Sequence, residues 1–489
     1  MIDLHQNPDV LESAIKRARE QKILLPTFRQ MVHPEEIPQK VKDRLKDVGL
    51  WDVNPLNLFR ISWHNEPKER GGDFGEVNAI EIPRELSGVK ARIFVILGKW
   101  FPTGCHKVGA SYGCLVPRLV TGQFDPNYHK AVWPSTGNYC RGGAYNSKLL
   151  GCSSIAILPE GMSRERFDWL STIAGEVIAT PGCESNVKEI FDKTKELRET
   201  RDDVVIFNQF EEYGNVVWHY NVTGPALESA YKALADDNSY FAGVAFTSGS
   251  AGTMSAGEYL KDHFSDLKLA VGEALQCPTL LENGFGGHRI EGIGDKHVPW
   301  IHNIRKTDMV IDIDDDDSQN LLRLFNTEVG HEVLRKEGIS QKTIEDLSFL
   351  GISGIANVLC CIKMAKYYEL DENAVLGTVA TDSSVMYDSR IEELDQQQGA
   401  YDEHMASRDF FQHLRGVGTD YMQELTYPDR KRIHDLKYYT WVEQQGKTVD
   451  EINAQWYDRN FWDNIHKQVT ELDELIEDFN RKSGVLDLI

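Results

Sequence analysis

The chain has 489 residues, 41% hydrophobic, 10% aromatic and 26% charged. That is globular composition with length for two or three packed units, and it excludes a disordered chain, a collagen-like fibre and a coiled-coil rod. Lysine and arginine number 53 against 76 aspartates and glutamates, a net charge of −23, and so acidic a surface repels nucleic-acid backbones and anionic lipid.

The N-terminal stretch MIDLHQNPDVLESAIKRAREQ has no apolar core and reads as an amphipathic helix, not a signal peptide. No apolar run reaches the roughly eighteen residues of a membrane span. The expectation is a soluble, cytoplasmic protein. Residues 1–50 read as a helical N-terminal extension. From about 92 to 380, short apolar runs alternate with helix-length segments. The runs are ARIFVIL (91–97), KAVWP (130–134), SSIAILP (153–159), EVIAT (176–180), DVVIF (203–207), GVAFTS (243–248), DLKLAVGEA (266–274), DMVIDI (308–313) and AVLGTVAT (374–381). Rich in Val and Ile and poor in charge, they read as strands of parallel sheets covered on both faces. The helical segments between them include 139–150, 184–199, 216–234, 253–263, 317–337 and 352–369. Nine strands are too many for one comfortable open sheet, so the expected fold is α/β, two doubly wound open-sheet domains with a cleft between them. Residues 391–489 carry Tyr438, Tyr439, Trp441, Trp456 and Trp462 and no strand-like run. They read as a helical C-terminal extension whose aromatics pack on the body of the protein or on another subunit.

Two features take the plainer reading. The acidic run IDIDDDDSQN (311–320) lacks the glycine and closing glutamate of a calcium loop, and reads as the start of a helix. The eight cysteines contain no CxxC pair, which suits buried, reduced thiols. The histidines lack metal-ligand spacing, and no metal is expected.

The chemistry lies in loops that follow strands, where ligands of open α/β sheets bind. After 130–134 comes Ser135-Thr136-Gly137-Asn138, a strand-to-helix turn presenting hydroxyls, an amide and backbone N–H groups to an anion such as a carboxylate. After 243–248 comes Gly249-Ser250-Ala251-Gly252-Thr253, a small-residue loop that can wrap a phosphate at a helix N-terminus. It is neither a Walker loop nor a GxGxxG fingerprint. In PTGCHKVGAS (102–111), Lys107 stands among small and apolar residues beside His106, placed to form an imine. HRIEGIGDKHVP (288–299) is another tight glycine turn, without chemistry of its own. A phosphate cup, a carboxylate turn and an imine lysine round one cleft are what pyridoxal phosphate acting on an amino acid requires.

These segments resemble the fold type II pyridoxal phosphate enzymes, the tryptophan synthase β family, and most closely its cysteine synthase and cystathionine β-synthase branch. The likeness is carried in order by VNPLNLFRI (53–61), PTGCHKVGAS, PSTGNYC, FNQFEEYGNVVWHYNVTGPALE (207–228), GSAGT (249–253), HRIEGIGDKHVP, LGISGIANVL (350–359) and TDSSVMY (381–387). It implies a catalytic core over 51–390, with a smaller domain of about 110–225 inserted in the larger one. The cofactor implied is pyridoxal 5'-phosphate. Lys107 would form the imine and move the Cα proton. Asn138 would bond the ring hydroxyl, and Ser383 would face the ring nitrogen, with Asp382 next to it as the alternative. Gly249, Ser250, Ala251, Gly252 and Thr253 would bind the phosphate, with His106 among the cofactor's neighbours. Ser135, Thr136, Gly137 and Gln209 would take the substrate carboxylate. Departures are Lys99 and Phe101 before the lysine segment, and Tyr139, Cys140 and Arg141 after the asparagine. Tyr139 and Arg141 narrow or charge the pocket beside the carboxylate turn, which speaks against O-acetylserine as substrate. The reaction implied is β-elimination on a β-substituted L-amino acid derived from cysteine or serine, through an aminoacrylate, to pyruvate and ammonia. Alternatives are β-replacement by a thiol or sulfide, and a non-catalytic subunit of a complex. A homodimer is expected.

Overall fold

The computed structural model describes residues 1–135, 137–182 and 187–489. Its strands are β1 (Ala79–Ile82), β2 (Arg92–Leu97), β3 (Lys130–Pro134), β4 (Ser153–Pro159), β5 (Glu176–Thr180), β6 (Val204–Ile206), β7 (Tyr240–Thr247), β8 (Lys268–Ala274), β9 (Met309–Ile313), β10 (Ala374–Ala380) and β11 (Met422–Glu424). They form two open sheets, a larger one in the order β1-β2-β10-β7-β8-β9-β11 and a smaller one in the order β5-β4-β3-β6. All pairs in the smaller sheet are parallel, as are the central five strands of the larger. Every side chain of β9 and β10 is buried, as expected where helices cover both faces.

The nine expected strands all form, several to the residue. Two further strands, β1 and β11, lie at the two edges of the larger sheet and pair antiparallel. The expectation of no strand beyond residue 390 is therefore corrected. The three-residue Met-Gln-Glu segment of β11 is too short and polar to show a pattern, and its strand form comes from pairing with β9.

The helices that position the site are α1 (Pro8–Gln21), α2 (Lys107–Val120), α3 (Asn138–Leu149), α4 (Arg164–Ile173), α5 (Tyr213–Trp218), α6 (Met254–His263), α7 (Asp315–Asn326), α8 (Ile352–Tyr367) and α9 (Phe461–Ser483). The acidic run does open a helix. Asp314 caps α7 by accepting the Asp316 N–H at 3.0 Å. The expected single helix over 317–337 breaks at Thr327, whose hydroxyl caps a following helix and ends the first one. Helix α8 is largely apolar, including Cys360 and Cys361, and is buried almost throughout, as such a helix must be.

The two terminal extensions pack on each other. Asn480 of α9 accepts the Leu25 N–H and donates to the Leu25 carbonyl. Asp473 accepts the N–H groups of Phe28 and Arg29. Trp441, Trp456 and Trp462 are buried against the body of the protein, whereas Tyr438 and Tyr439 stay exposed. No helix among the described residues is long and apolar enough to cross a membrane.

Candidate active site

Lys107 is the first residue of α2, and its position depends on a close helix crossing. Gly113 of α2 and Gly214 of α5 face each other so tightly that a Cβ on either would fall within 2.4 Å of the other's backbone oxygen. The crossing brings Asn215 of α5, fully buried, beside the loop after β7. There Ser250 Oγ accepts from Lys107 Nζ at 3.2 Å and from Asn215 Nδ2 at 3.1 Å. Asn215 Nδ2 also donates to the Gln209 carbonyl at 3.1 Å. Gln209 Nε2 donates in turn to Ser135 Oγ at 3.3 Å, which accepts the Gly137 N–H at 3.1 Å. One hydrogen-bonded chain thus joins the lysine, the 249–253 loop and the carboxylate turn. Thr136 lies outside the described residues.

The 249–253 loop is a cup of backbone donors. None of its five N–H groups has an acceptor among the described residues, and Thr253 leads directly into α6. Ala251 has φ of +63°, an uncommon conformation for a residue with a side chain and one found in anion-binding backbone nests. At Gly252 a Cβ would lie 2.2 Å from Asn215 Oδ1, so only glycine allows this approach.

Asn138, the first residue of α3, donates from Nδ2 to Asp382 Oδ2 at 2.7 Å, while its buried Oδ1 has no partner among the described residues. Asp382 Oδ2 also accepts from the Tyr387 hydroxyl at 2.8 Å and faces Arg166 Nη2 at 3.7 Å. Burial raises the Asp382 carboxyl above its ordinary value, against the pull of Arg166. With Asp382 engaged in this way, the neighbouring Ser383 hydroxyl has no hydrogen-bond partner among the described residues. His106 is stacked parallel to Trp218 and meets His219 edge-on at 5.2 Å. Its Nε2 lies 3.3 Å from Thr381 Oγ1. Burial pushes both histidines well below the ordinary imidazole range, so they stay neutral near Lys107.

The far end of the site is ionic, and sequence reading missed it. Fully buried Arg166 of α4 pairs with Glu291 and donates to the Tyr387 hydroxyl at 3.0 Å. Arg390 donates to Glu291 at 2.6 Å and to the Gly161 carbonyl at 2.7 Å. Glu291 belongs to the 288–299 turn, which therefore does carry charge chemistry. A cavity of about 120 Å³ lined by Met162, Glu291 and Arg390 adjoins this end. Tyr139, expected to narrow the pocket, instead turns into the core against Trp133 at 5.4 Å, because the helix start points it away from the cleft. Of the two, Arg141 alone remains at the site. The missed Asn215 had a signal, a lone amide inside the apolar run YGNVVW. Arg166 and Glu291 had none.

The family described as "Pyridoxal-phosphate dependent enzyme" matches residues 79–334, just over half of the chain. The chain belongs to the pyridoxal-phosphate-dependent enzymes. Cysteine synthase of Staphylococcus aureus is 29% identical over 314 residues, covering 64% of this chain and 93% of its own. Cystathionine beta-synthase of Saccharomyces cerevisiae is 24% identical over 384 residues, 76% of this chain and 72% of its own. Among solved structures, a hydrogen sulfide-producing enzyme of Fusobacterium nucleatum superposes with a TM-score of 0.53 at 25% identity, covering 66% of this chain and 90% of that one. Cysteine synthase of Entamoeba histolytica reaches 0.56 at 20% identity, covering 69% and 92%. The architecture is that of fold type II, the protein acts on amino acids, and its cofactor is pyridoxal 5'-phosphate. The cup of unpaired N–H groups, the lysine amine at its rim and the orphan Asn138 Oδ1 match the phosphate, aldehyde and ring hydroxyl of that group.

Proposed function

We propose that this enzyme carries out β-elimination on a β-substituted L-amino acid derived from cysteine or serine, giving pyruvate and ammonia. The observation that carries the reading is the Lys107–Ser250–Asn215–Gln209–Ser135 chain, which puts an amine, a phosphate cup and a carboxylate turn on one cleft. When bound, pyridoxal phosphate supplies the electron sink that acidifies the Cα–H. The protein's residues do the rest. Lys107 takes the Cα proton. The turn at Ser135, Thr136 and Gly137, with Gln209, orients the carboxylate. Gly249, Ser250, Ala251, Gly252 and Thr253 anchor the phosphate, with His106 packed behind the lysine. Asn138 would meet the ring hydroxyl, and the Ser383 hydroxyl would meet the ring nitrogen. A neutral hydroxyl there would not hold a proton on that nitrogen as a carboxylate would, which suits loss of a β-substituent more than transamination. Asp382, already held by three side chains, is the poorer partner for the nitrogen.

The likeness to a hydrogen sulfide-producing enzyme supports loss of a sulfur β-substituent, the step that elimination and replacement share. The cysteine synthase relatives support the second reading, β-replacement by a thiol or sulfide. We take 51–390 as the catalytic core with a smaller unit of about 110–225, and the enzyme as a homodimer, whose mass light scattering checks. The deciding experiment incubates the cofactor-loaded enzyme with L-cysteine and with O-acetyl-L-serine, with and without added thiol. Pyruvate and ammonia without thiol are the expected result. A new thioether amino acid formed only with thiol would replace elimination by replacement.

A further inference from the structure

Arg141 is a buried cation that the site described so far does not use. It sits one turn along α3 from Asn138, on the same face. The next residue, Gly142, packs so closely on α2 that a Cβ there would lie 2.8 Å from the Val108 backbone and 3.0 Å from the Lys107 carbonyl carbon. The Arg141 side chain reaches Met386, in the segment that carries Asp382 and Ser383, with Nη1 3.3 Å from Sδ. It therefore lies between the two segments bearing Lys107 and Ser383.

Its surroundings leave its donors unspent. The residue is 1% exposed, yet no carboxylate among the described residues is close enough to pair with it. Its Nε has no hydrogen-bond partner among the described residues, and a thioether sulfur is a weak acceptor for Nη1. The guanidinium rests on the faces of Trp169 at 4.9 Å and Trp51 at 5.9 Å, which hold a cation in place without consuming its N–H groups. The two carboxylates at this end are engaged elsewhere, Glu291 by Arg166 and Arg390, and Asp382 by Asn138, Tyr387 and Arg166. Asp382 attracts Arg141 through space without touching it, and a buried cation that no carboxylate contacts is costly to desolvate and leaves room for an anion to complete the structure.

Two anions of the reaction already have receptors, the cofactor phosphate in the 249–253 cup and the substrate carboxylate at the 135–137 turn. We propose that Arg141 receives a third, a negative charge on the β-substituent, so that the substrate is an amino acid with an anionic leaving group such as a phosphate ester or an S-sulfonate. This rests on the elimination or replacement reading and deepens it. In the step, the Cα proton passes to the Lys107 amine and the Cβ–O or Cβ–S bond breaks, its electron pair leaving on the substituent. Negative charge on that group grows as the bond lengthens. A fixed guanidinium then favours the transition state more than the ground state.

The test uses cofactor-loaded wild type, Arg141→Met and Arg141→Lys, with O-phospho-L-serine and O-acetyl-L-serine as paired probes. Kinetics and the cofactor band shift on titration are both read. The proposal expects wild type to prefer the phospho compound. It expects the phospho-to-acetyl ratio of kcat/KM to fall by about 10²-fold in Arg141→Met, the scale of a charged hydrogen-bond partner, with partial recovery in Arg141→Lys. Inorganic phosphate should compete in wild type and not in Arg141→Met. An unchanged ratio in a folded, cofactor-loaded Arg141→Met would overturn the proposal, because a purely structural arginine does not discriminate charge. If that variant does not fold, wild type decides alone: neutral preference with no competition by phosphate overturns it. If neither amino acid yields pyruvate or a thioether, the proposed reaction falls. The band-shift affinities would still report whether Arg141 selects the anionic ligand.

Discussion

The two ends of the cleft solve the same problem by opposite means. The phosphate end is built from neutral pieces of consecutive chain: five backbone N–H groups, two glycines and a serine hydroxyl, cradled on a helix N-terminus. The other end is built from ionisable side chains of four distant segments, Arg141, Arg166, Glu291 and the Asp382–Arg390 stretch, all buried except the partly exposed Arg390. Backbone donors are oriented by the local fold alone and need an incoming anion to satisfy them, whereas each buried charge depends on partners brought from elsewhere. In the proposed assignment the first arrangement anchors a cofactor common to many reactions. The second is free to vary with the substrate.

The largest effect comes from the residue between the ends. Lys107→Ala should lower turnover by at least about 10³-fold, the scale on which losing a covalent participant acts. It should also abolish the absorption band of the lysine-bound cofactor while the protein stays folded. A variant that keeps its turnover would break the assignment of both ends at once.

Next, the ionic end should be the more fragile in folding. Arg166→Met leaves Glu291 in a buried site with only Arg390, and breaking such a pair costs about 3–5 kcal/mol. Chemical denaturation should show that loss, and Arg166→Met/Glu291→Gln should recover part of it through their coupling. Equal stability of the single variant and wild type would mean that the pair contributes nothing net. At the neutral end, Gly252→Ala forces a methyl group onto Asn215 Oδ1, an overpacking cost of about 1–3 kcal/mol. Much of it should appear as a cofactor affinity about 10-fold or more weaker, read by equilibrium titration, with little change in melting temperature.

The same contrast explains what was legible in the sequence. Strand runs such as SSIAILP and KAVWP gave the sheets because burial on both faces writes a continuous apolar signature along the chain. The cup and the turn at Ser135 were visible because each is one short stretch of small and polar residues after a strand. Edge strands β1 and β11 carry no such signature. Nor does Arg166, an arginine on an ordinary amphipathic helix until α4 carries it to Glu291, 125 positions later. Arg141 was visible as an odd residue after Asn138, but only the structure shows that no carboxylate among the described residues touches it and separates it from Tyr139.

A third region sharpens the comparison, because it buries titratable groups without chemistry. Glu258 of α6, 2% exposed, accepts from Asn303 at 2.6 Å beneath the C-terminal helix α9, where His466 Nε2 lies 4.0 Å away. Burial pushes the glutamate up to about 8 and the histidine down to about 3, so at neutral pH the contact joins two uncharged groups. The folded protein then holds a proton on Glu258 that the unfolded chain has released above its ordinary value of 4.5. Stability from this group therefore falls as pH rises from about 4.5 through about 8, at no more than about 1.4 kcal/mol per pH unit. Glu258→Gln should match wild type near pH 5, where the carboxyl is neutral, and exceed its melting temperature by about 2–4 °C near pH 8. If wild type and variant instead melt in parallel across that range, Glu258 and His466 form a true ion pair, and α9 is held to the core by charge as the substrate end of the cleft is.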